Sequence, residues 1–480
     1  MSTSISINDV KYDSSYYPRE KPSSATIEEY ADALASGDKF PPIILEEGTN
    51  KLLDGYHRWK AHKKLTEEPT LFGEDLDTEE YKSISVEYHT IPDGVSPMMY
   101  CYSLSSKHGL RPKASEAEKV AQEQYSKIPG TPISTMAKYL GISDKTVKKY
   151  IKPLIAQFEE TKRTIIIRLS TLGWTQQEIS NKLVEMFPSA DGVSQKSVSD
   201  SLVENGNFRN LLKVDNTKGI SPDVLAKRHD LPEVLVWSTV LDGLDDKERM
   251  SRLNINIQPY DVWQFAKCHD LFGDKHPGRI PGEIIAHVLY FFTQPGAMVI
   301  DPMVGSGTTL DVCLAFGRKC YGFDIDSRHN RPDVIKHDII NDGWHERVKK
   351  ADLIFWDPPY YSKMDSSTIG SDGYIEGSIS KLSRDEYLAF FAQRLADAKS
   401  MVKPGTKLAF LMSDWDDNTG AQEGIFVWDY ANTIANAGWK LIRHIQAPLS
   451  TQQVHPDIVN KFRDSRRLAR LERYLLIAEA

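Results

Sequence analysis

The spacing of apolar residues changes character twice along the chain. Short apolar runs bounded by proline, glycine or aspartate occur in its first and last parts, and such runs predict buried strands. Over residues 114–155, apolar residues recur instead at the spacing of amphipathic helices. The pattern divides the 480 residues into three predicted domains, since one core rarely serves so long a chain. These domains cover residues 1–110, 111–245 and 246–480, with residues 241–249 as a linker into the last.

The first domain is predicted to contain an anion-binding turn. The elements expected around it are a helix over residues 27–34, the apolar run over residues 40–45, a strand that ends in Asp54-Gly55, and a strand near residues 84–88. Asp54-Gly55 ends a short apolar run and leads into a helix with His57 and Arg58 in its first turn. Free N–H groups and the helix dipole favour a phosphate there.

Residues 15–95 resemble the ParB/sulfiredoxin-like domain, in which a Gly-x-x-Arg turn holds nucleotide phosphates. The resemblance makes a nucleotide a candidate partner of this domain. Tyr56 stands where sulfiredoxin chemistry needs a cysteine, so that activity is not expected. A structural or DNA-facing role for His57 and Arg58 is the alternative to nucleotide binding.

The middle of the chain has the pattern of stacked helix-turn-helix units. Ala137 is small enough for a helix crossing, Gly141 makes the turn, and Ser143 is a good N-cap for the second helix. A second copy is expected from the capping box over residues 175–178, and a weaker third copy over residues 224–234. Exposed positions of the second helices would face a DNA major groove. The residues predicted to contact DNA are Ser143, Lys145, Thr146, Lys148, Lys149, Lys196 and Ser197.

Local charge favours this interpretation although the formal net charge is -8. Between residues 138 and 168, eight lysines and arginines stand against three acidic residues. A second basic run covers residues 443–473. We interpret both runs as phosphate contacts. The alternative is an ordinary helical bundle with solvated basic faces.

Residues 297–324 predict the βαβ opening of a Rossmann-like sheet, so the C-terminal domain is of the α/β class. A strand runs into Asp301-Pro302-Met303-Val304-Gly305-Ser306-Gly307-Thr308, a helix follows, and a second strand ends at Asp324. The two glycines let the backbone approach a ligand closely. Asp324 is placed to hold ribose hydroxyls. The spacing matches neither the G-x-G-x-x-G pattern nor a Walker loop.

A second motif, Asp357-Pro358-Pro359-Tyr360, follows the apolar run over residues 353–356. The motif would lie at the carboxyl end of a buried strand, where open α/β sheets bind ligands. The Asp357 carboxylate and the Pro358 carbonyl are acceptors that the prolines hold in place. Two acceptors beside the flat face of Tyr360 suit an exocyclic amine on a planar base. The alternative is a strand end turned by prolines.

Together the two motifs resemble those of the DNA amino-methyltransferases, which use S-adenosylmethionine (SAM) on adenine N6 or cytosine N4. Residues 275–281 resemble the segment that closes over the methionine end of SAM, and the motif order resembles the family's gamma arrangement. The resemblance implies methyl transfer from SAM to a base flipped out of duplex DNA. Adenine is favoured over cytosine because aspartate leads the tetrapeptide.

The resemblance also implies roles for individual residues. The implied catalytic residues are Asp357, Pro358, Pro359 and Tyr360. The implied cofactor-binding residues are His276, Pro277, Asp301, Pro302, Gly305, Ser306, Gly307, Thr308, Asp324 and Asp338. For Asp338, an exposed turn carboxylate is the alternative.

Gamma enzymes usually carry a large target-recognition domain after the catalytic motif, and here the chain departs from the family. Residues 407–411, 439–445 and 474–477 predict further strands, the last two as a hairpin, so the catalytic sheet would fill the chain to its end. We therefore expect target selection from the N-terminal helices and from two insertions, over residues 361–382 and 448–470.

Composition excludes several other classes. Carbon methylation of cytosine needs a cysteine nucleophile, and no Pro-Cys pair occurs. Four scattered cysteines form no CxxC pair, so we expect no metal and a reducing cytoplasm. The most apolar stretch, over residues 284–300, is broken by polar residues and is not expected to span a membrane. A homodimer is a candidate assembly.

Three alternatives to adenine methylation of DNA stay open on sequence alone. Cytosine N4 could be the acceptor, by the same chemistry. The chain could be a non-catalytic, ParB-like DNA-binding regulator with a vestigial methyltransferase domain, although the intact motifs speak against it. RNA or a protein glutamine could be the substrate, but the glutamine-modifying relatives carry asparagine at the head of the tetrapeptide.

Overall fold

A computed structural model describes most of the chain. The described residues are 3–19, 22–72, 77–106, 113–265, 267–275, 279–325, 331–361, 378–416, 424–448, 456–464 and 472–480. The chain divides into two compact units. The N-terminal unit holds Met1–Lys162 and Ser180–Val198, and the C-terminal unit holds Arg163–Ile179 and Ser199–Ala480. The finer division into three domains stays a prediction.

The N-terminal unit begins with a small α+β layer. Its elements are β1 (Thr3–Ser6), α1 (Ser24–Ala35), β2 (Ile43–Glu46), β3 (Leu52–Asp54), α2 (Tyr56–Glu67), β4 (Ser83–His89) and α3 (Pro97–Ser105). The predicted helix and both strands are confirmed, whereas β1 arises from a polar start that gave no strand signal. The sheet order is β1-β4-β2-β3, with β2 and β4 parallel. Trp59 fixes α2 to this layer, because its buried indole N–H donates to the Ile7 carbonyl at 2.9 Å.

Nine helices follow within residues 113–265, all of which the structure describes. They are α4 (Ala114–Lys127), α5 (Ile133–Leu140), α6 (Asp144–Tyr150), α7 (Lys152–Thr171), α8 (Gln176–Met186), α9 (Gln195–Thr217), α10 (Pro222–Arg228), α11 (Glu233–Val240) and α12 (Asp246–Arg252). The helix-turn-helix geometry of α5 and α6 is confirmed: Gly141 adopts a left-handed φ of 65° at the turn. Ser143 caps α6 by accepting from the N–H of Thr146 at 3.2 Å, and Ala137 and Val147 lie in the shared core.

The two further helix pairs also form. Thr175 and Glu178 make the predicted capping box at the start of α8, with backbone-to-side-chain bonds of 2.7 and 3.2 Å. In the third pair, Leu225 of α10 and Val236 of α11 pack in one apolar cluster.

The predicted linker over residues 241–249 is wrong. Residues 246–252 form α12, which Asp245 caps by accepting from the N–H of Glu248 at 2.8 Å. Arg249 and Met250 are buried. The charges in this stretch suggested solvent exposure, but Asp246 instead pairs with the fully buried Arg318 of the C-terminal unit at 2.8 Å. A buried ion pair between distant residues leaves no periodic signal in the sequence.

The rest of the C-terminal unit is built on a seven-stranded sheet. Its elements are α13 (Gly282–Phe292), β5 (Met298–Asp301), α14 (Thr308–Phe316), β6 (Lys319–Asp324), β7 (Val334–Lys336), β8 (Leu353–Trp356), α15 (Arg384–Met401), β9 (Lys407–Met412), β10 (Trp415–Asp416), β11 (Gly424–Ile425), α16 (Val427–Asn436), β12 (Lys440–Gln446), α17 (Pro456–Asp464) and β13 (Tyr474–Glu479). The strand order is β12-β13-β9-β8-β5-β6-β7, and β10 pairs separately with β11. This confirms the predicted α/β class.

Strand direction makes the middle of this sheet a ligand-binding edge. Strands β5 to β9 run parallel, and β13 returns antiparallel beside β9 with β12 as its hairpin partner, which confirms the predicted hairpin. The chain passes from β5 to β6 and β7 on one side and then to β8 on the other. Such a reversal opens a crevice at the carboxyl ends of the two central strands.

Parts of the expected target-recognition surface lie outside the described residues. Residues 362–377 of the first predicted insertion and residues 449–455 and 465–470 of the second are among them. Within the described parts of the chain, every helix falls short of the length and apolarity needed to cross a bilayer.

Replacing Asp246 by asparagine tests the correction to the linker. The change leaves the charge of buried Arg318 without its partner, so we expect the free energy of unfolding of the C-terminal unit to fall by about 3 kcal/mol. Urea unfolding followed by tryptophan fluorescence measures it. The matched control is Asp242→Asn, whose Lys213 partner is exposed, with an expected change below about 1 kcal/mol. Equal losses in both variants would contradict the buried role of Asp246.

Candidate functional site

Two carboxylates lie at the carboxyl ends of the central strands. Asp301 ends β5, and Asp357 follows the last residue of β8. The two strands are direct parallel neighbours, with Ile300 opposite Ile354. The sheet therefore brings together two motifs that lie more than fifty residues apart in the sequence.

Burial changes the acidity of both groups. It raises the pKa of Asp357 to about 7, although the charge of Arg473 and a hydrogen bond from Tyr360 act in the opposite direction. Burial likewise raises the pKa of Asp301 to about 7, and the charges of Asp357 and Asp324 add to the shift. Three carboxylates thus influence one another at this edge, and two of them change protonation near neutral pH.

The Gly-rich turn between β5 and α14 is held by its own backbone and by Asp324. The N–H of Val304 donates to the Phe323 carbonyl at 2.9 Å, and the N–H of Gly305 donates to the Asp324 carboxylate at 2.8 Å. Gly305 and Gly307 have φ values of 52° and 84°, where a side chain is disfavoured. A Cβ built on Gly305 meets no atom of the described residues within 4 Å, so these residues leave open space on this side of the turn.

Asp301 ties the two ends of the turn together. One carboxylate oxygen accepts from the Thr309 hydroxyl at 2.6 Å, and the other accepts from the N–H of Met303 at 3.0 Å. Ser306 and Thr308 are buried in the same turn. Asp301 therefore shapes the turn, and its role toward a cofactor stays a prediction, as do those of Pro302, Ser306 and Thr308.

The Asp-Pro-Pro-Tyr segment is fixed at both ends. The Tyr360 hydroxyl donates to Asp357 Oδ1 at 3.0 Å, and the Tyr387 hydroxyl donates to the Pro359 carbonyl at 2.9 Å. Trp356, directly before the motif, is fully buried against Phe391 and other aromatic rings. The orientation of the Asp357 carboxylate is thus set by a phenol within the motif and by packing beneath it.

Two residues of this site were missed by sequence reasoning. Tyr387 lies on α15, after a long insertion, and nothing in its local pattern separates it from other helical aromatic residues. Arg473 precedes β13 and is buried, and its Nε donates to the Ala447 carbonyl at 3.0 Å. The sequence showed it only as one member of a basic run. Knowledge of the sheet order is needed to bring β13 to this edge.

Some predicted cofactor residues are not placed at the site. His276 and Pro277 lie outside the described residues, but the preceding Asp274 donates its backbone N–H to the Ser306 carbonyl at 3.1 Å. Asp338 follows β7, and its carboxylate accepts from the N–H of Ile340 at 2.9 Å and from the side chain of Asn341 at 2.7 Å. Its carboxylate stabilises its own turn, and its proposed contact with a cofactor stays a prediction.

The predicted DNA-contacting residues divide into exposed cations and residues that stabilise local structure. Lys145, Lys148, Lys149 and Lys196 are exposed. Ser143 and Thr146 are joined at the start of α6, where their side-chain oxygens lie 2.9 Å apart. Ser197 donates its hydroxyl proton to the Gly192 carbonyl at 2.6 Å. The lysines are therefore the free groups of this set.

In the N-terminal unit, Arg58 of the expected anion-binding turn makes bonds within the protein. Arg58 donates to Asp54 at 2.6 Å and to the carbonyls of Pro41 and Pro42 at 2.7 and 2.8 Å. Burial and nearby Arg19 lower the pKa of His57, whose Nε2 accepts from the N–H of Ser23 at 3.2 Å. Both side chains thus hold the turn in place. Beside them lies a pocket lined in part by Tyr12, Tyr17 and Tyr56.

Among the described residues, no group of three or more histidine, cysteine, aspartate or glutamate side chains is arranged to hold a metal ion.

Comparison with known proteins finds similarity over part of the chain. Residues 204–334 match the family model described as DNA methylase, a range that includes the Gly-rich turn and Asp324 and ends before Asp357. The chain is 34% identical over 95 residues to the DNA adenine methyltransferase YhdJ of Escherichia coli K12, which is 19% of this chain and 32% of that protein. It is 33% identical over 103 residues to the type II methyltransferase M2.LlaDCHI of Lactococcus lactis subsp. cremoris, covering 20% and 38%.

The chain thus spans about a third of the length of these curated relatives. Among solved structures, TrmN from Thermus thermophilus matches with a TM-score of 0.25 and 13% identity, over 42% of this chain and 49% of that one. The chromosome-partitioning protein ParB from Caulobacter crescentus, complexed with CTP-gamma-S, matches with a TM-score of 0.18 and 14% identity, over 32% and 79%. Scores this low carry no argument about fold or function.

Proposed function

We propose that this protein transfers a methyl group from SAM to the exocyclic amine of a base in duplex DNA, with adenine N6 favoured. The observation that carries the proposal is the position of Asp357 beside the Gly-rich turn, at the carboxyl ends of two adjacent parallel strands. The match of residues 204–334 to the DNA methylase family supports it independently.

The residues around the turn fit the proposed cofactor. Gly305 leaves open space on one side of the turn, and Asp324 is held at the tip of β6, where a carboxylate can accept from ribose hydroxyls. The methionine end would lie along residues 305–308, next to the segment that begins after Asp274. When bound, SAM supplies an electrophilic methyl group on its sulfonium sulfur.

The chain's own contribution is to hold and activate the amine. An exocyclic amine is a poor nucleophile because its lone pair is delocalised into the ring. With both N–H groups donated to Asp357 and to the Pro358 carbonyl, the lone pair would localise on nitrogen. As the nitrogen bonds to the methyl carbon, the carbon–sulfur bond would break, S-adenosylhomocysteine would leave, and the nitrogen would lose one proton to solvent. Positive charge develops on that nitrogen before the proton leaves, and the fixed carboxylate stabilises it more in the transition state than before. Tyr360 would stack on the flipped base.

Replacing Asp357 by asparagine tests the proposal. We expect kcat to fall by about a hundredfold to a thousandfold, since one preorganised group at the reacting atom is lost, while SAM binding persists. The assay is transfer of labelled methyl groups to duplex DNA, followed by digestion to nucleosides and mass identification of the product. The matched control is Asp385→Asn, an exposed carboxylate on α15. The proposal is contradicted if the unaltered protein binds SAM normally but transfers no methyl group to DNA.

The modified nucleoside also separates the competing substrates. N6-methyladenine supports the favoured reaction, and N4-methylcytosine supports the same chemistry on the other base. A preference for structured RNA over duplex DNA in competition would favour an RNA substrate. Unchanged cellular function of the Asp357→Asn variant would favour a non-catalytic regulator.

The raised pKa of Asp357 predicts a pH dependence. Its carboxylate accepts fully only when ionised, so kcat/KM, which reports the groups of the free enzyme, should fall as pH falls through about 7. The same raised pKa favours the protonated folded state, so this residue's contribution to stability is lost as pH rises from about 4 to 7. Arg473 favours the ionised form of Asp357, so Arg473→Met should raise the pKa of Asp357. The pH at which activity falls on the acidic side of the profile should then be higher. Arg463 is exposed, and Arg463→Met is the control that should leave the pH profile unchanged. A profile that shifts in neither variant would contradict the assignment of its acidic side to Asp357.

We further propose that α6 provides a DNA contact through its exposed lysines. Alanine at Lys145, Lys148 and Lys149 should weaken binding to all duplex sequences and reduce the salt-dependence slope of the binding constant by about 3. Fluorescence anisotropy at several salt concentrations measures both. Alanine at Lys82, Lys119 and Lys127 removes the same charge from the same unit and is the control. An equal loss in the control would assign the effect to net charge.

For the N-terminal pocket we propose that it binds a nucleotide, whose base stacks on the aromatic cluster of Tyr12, Tyr17 and Tyr56. The three rings already pack against one another, with centroids 4.9 to 6.2 Å apart, so the base would stack on the outer face of this aromatic cluster. Equilibrium dialysis with each common nucleoside triphosphate should detect binding, and Tyr56→Leu should abolish it. The control is Tyr88→Leu on β4. Equal concentrations of every nucleotide on both sides of the membrane, at millimolar nucleotide, would exclude this ligand.

Two further proposals concern the protein's setting. A reducing cytoplasm is supported by four cysteines that form no disulfide. We also propose a homodimer, for which the contacts within one chain give no support. Light scattering of the purified protein measures the mass in solution and so tests this proposal.

A further inference from the structure

An arginine outside both motifs holds the Gly-rich turn. Arg331 donates from Nη1 to the Ser306 carbonyl at 3.0 Å. Its guanidinium also covers one face of Gly307, because a Cβ built on that glycine would lie 2.3 Å from Arg331 Cζ. The backbone path at residues 306–307 thus depends on Arg331 through a charged hydrogen bond and through direct packing.

Arg331 belongs to a buried group of four charges, the arginine–aspartate cluster of Arg168, Asp311, Arg331 and Asp333. Arg331 lies 2.7 Å from Asp311 and 3.0 Å from Asp333, and Arg168 lies 2.9 and 2.7 Å from the same two carboxylates. All four side chains are at most 10% exposed. The cluster holds two positive and two negative charges, so removal of one arginine leaves an uncompensated buried carboxylate.

The same cluster reaches the segment that precedes the predicted cofactor residues. Asp311 accepts from the N–H of Gly273 at 2.9 Å. Gly273 lies directly against the turn, since a Cβ there would be 2.3 Å from the Thr308 hydroxyl. One set of buried charges therefore connects the Gly-rich turn with residues 273–274.

We infer that Arg331 and Arg168 are positioning residues for cofactor binding. Arg331 fixes the turn, and Arg168, which lies on α7 well before either motif, acts through the two aspartates that it shares with Arg331. The inference rests on the proposed function, because it assigns these residues to the same cofactor turn. It also makes α7 a part of the cofactor site, although that helix lies in the region predicted to bind DNA.

The test replaces Arg168 by methionine in the full chain. Two aspartates then compete for Arg331, so we expect binding of S-adenosylhomocysteine to weaken about tenfold in isothermal titration calorimetry. KM for SAM should rise by a similar factor, while kcat at saturating SAM and DNA affinity stay unchanged. Arg168→Lys keeps the charge but loses the fork and should weaken binding less. The double variant Arg168→Met with Asp333→Asn restores neutrality and should recover part of the affinity.

The matched control is Asp246→Asn, which breaks another buried ion pair of the same unit near the opposite end of α14. It should lower stability without changing the affinity for S-adenosylhomocysteine. If the affinity for S-adenosylhomocysteine falls equally in the control and in Arg168→Met, the loss reflects general destabilisation and the inference is overturned. Unchanged affinity in Arg168→Met and Arg168→Lys would overturn it as well. If the unaltered protein binds no S-adenosylhomocysteine, the proposed function fails instead.

Discussion

The parallel pairing of β5 with β8 is the constraint on which the proposed chemistry depends. Strands that run parallel and adjacent end at the same edge, so a residue after β5 and a residue after β8 share one crevice. The chain passes outward from β5 to β7 before it returns to β8, which leaves this crevice uncovered by a direct connection. A Gly-rich turn on one strand and a carboxylate on the next can then serve two parts of one reaction.

Burial at this edge has two opposed consequences. Removing water from Asp357 strengthens its interaction with charge that develops on a nearby nitrogen. The same burial raises its pKa to about 7 and so lowers the fraction that is ionised near neutral pH. Tyr360 and Arg473 favour the ionised form, as a donor and as a positive charge. The site thus combines a desolvated acceptor with groups that limit the cost of its ionisation.

Buried ion pairs connect distant segments elsewhere in the same unit. Arg318, between α14 and β6, pairs with Asp246 of α12, and the arginine–aspartate cluster joins α7 to the Gly-rich turn. Such pairs contribute little net stability relative to apolar packing, but breaking one is costly because a charge is left uncompensated. They therefore fix the register of these helices on the sheet. Apolar packing alone would tolerate small shifts of the same helices.

The amino-acid sequence by itself determined those features that depend on neighbouring residues. The strand before Asp357, the glycines at positions 305 and 307, the helix-turn-helix around Gly141 and the two separate strands of the final hairpin all follow from local periodicity, backbone freedom and capping. The α/β class followed from the order of these elements. Each could be predicted because the residues that produce it are close neighbours in the sequence.

Only the tertiary structure decided which distant groups meet. It turned the predicted linker into α12, committed Arg58 to Asp54 and two carbonyls, and brought Tyr387 and Arg473 to the Asp-Pro-Pro-Tyr segment. It also brought Arg168 to two aspartates, Asp311 and Asp333, that lie far along the chain. A charged side chain has the same local pattern whether it faces water or a buried partner. Its role is set by the strand order and by burial, which a single sequence does not encode locally.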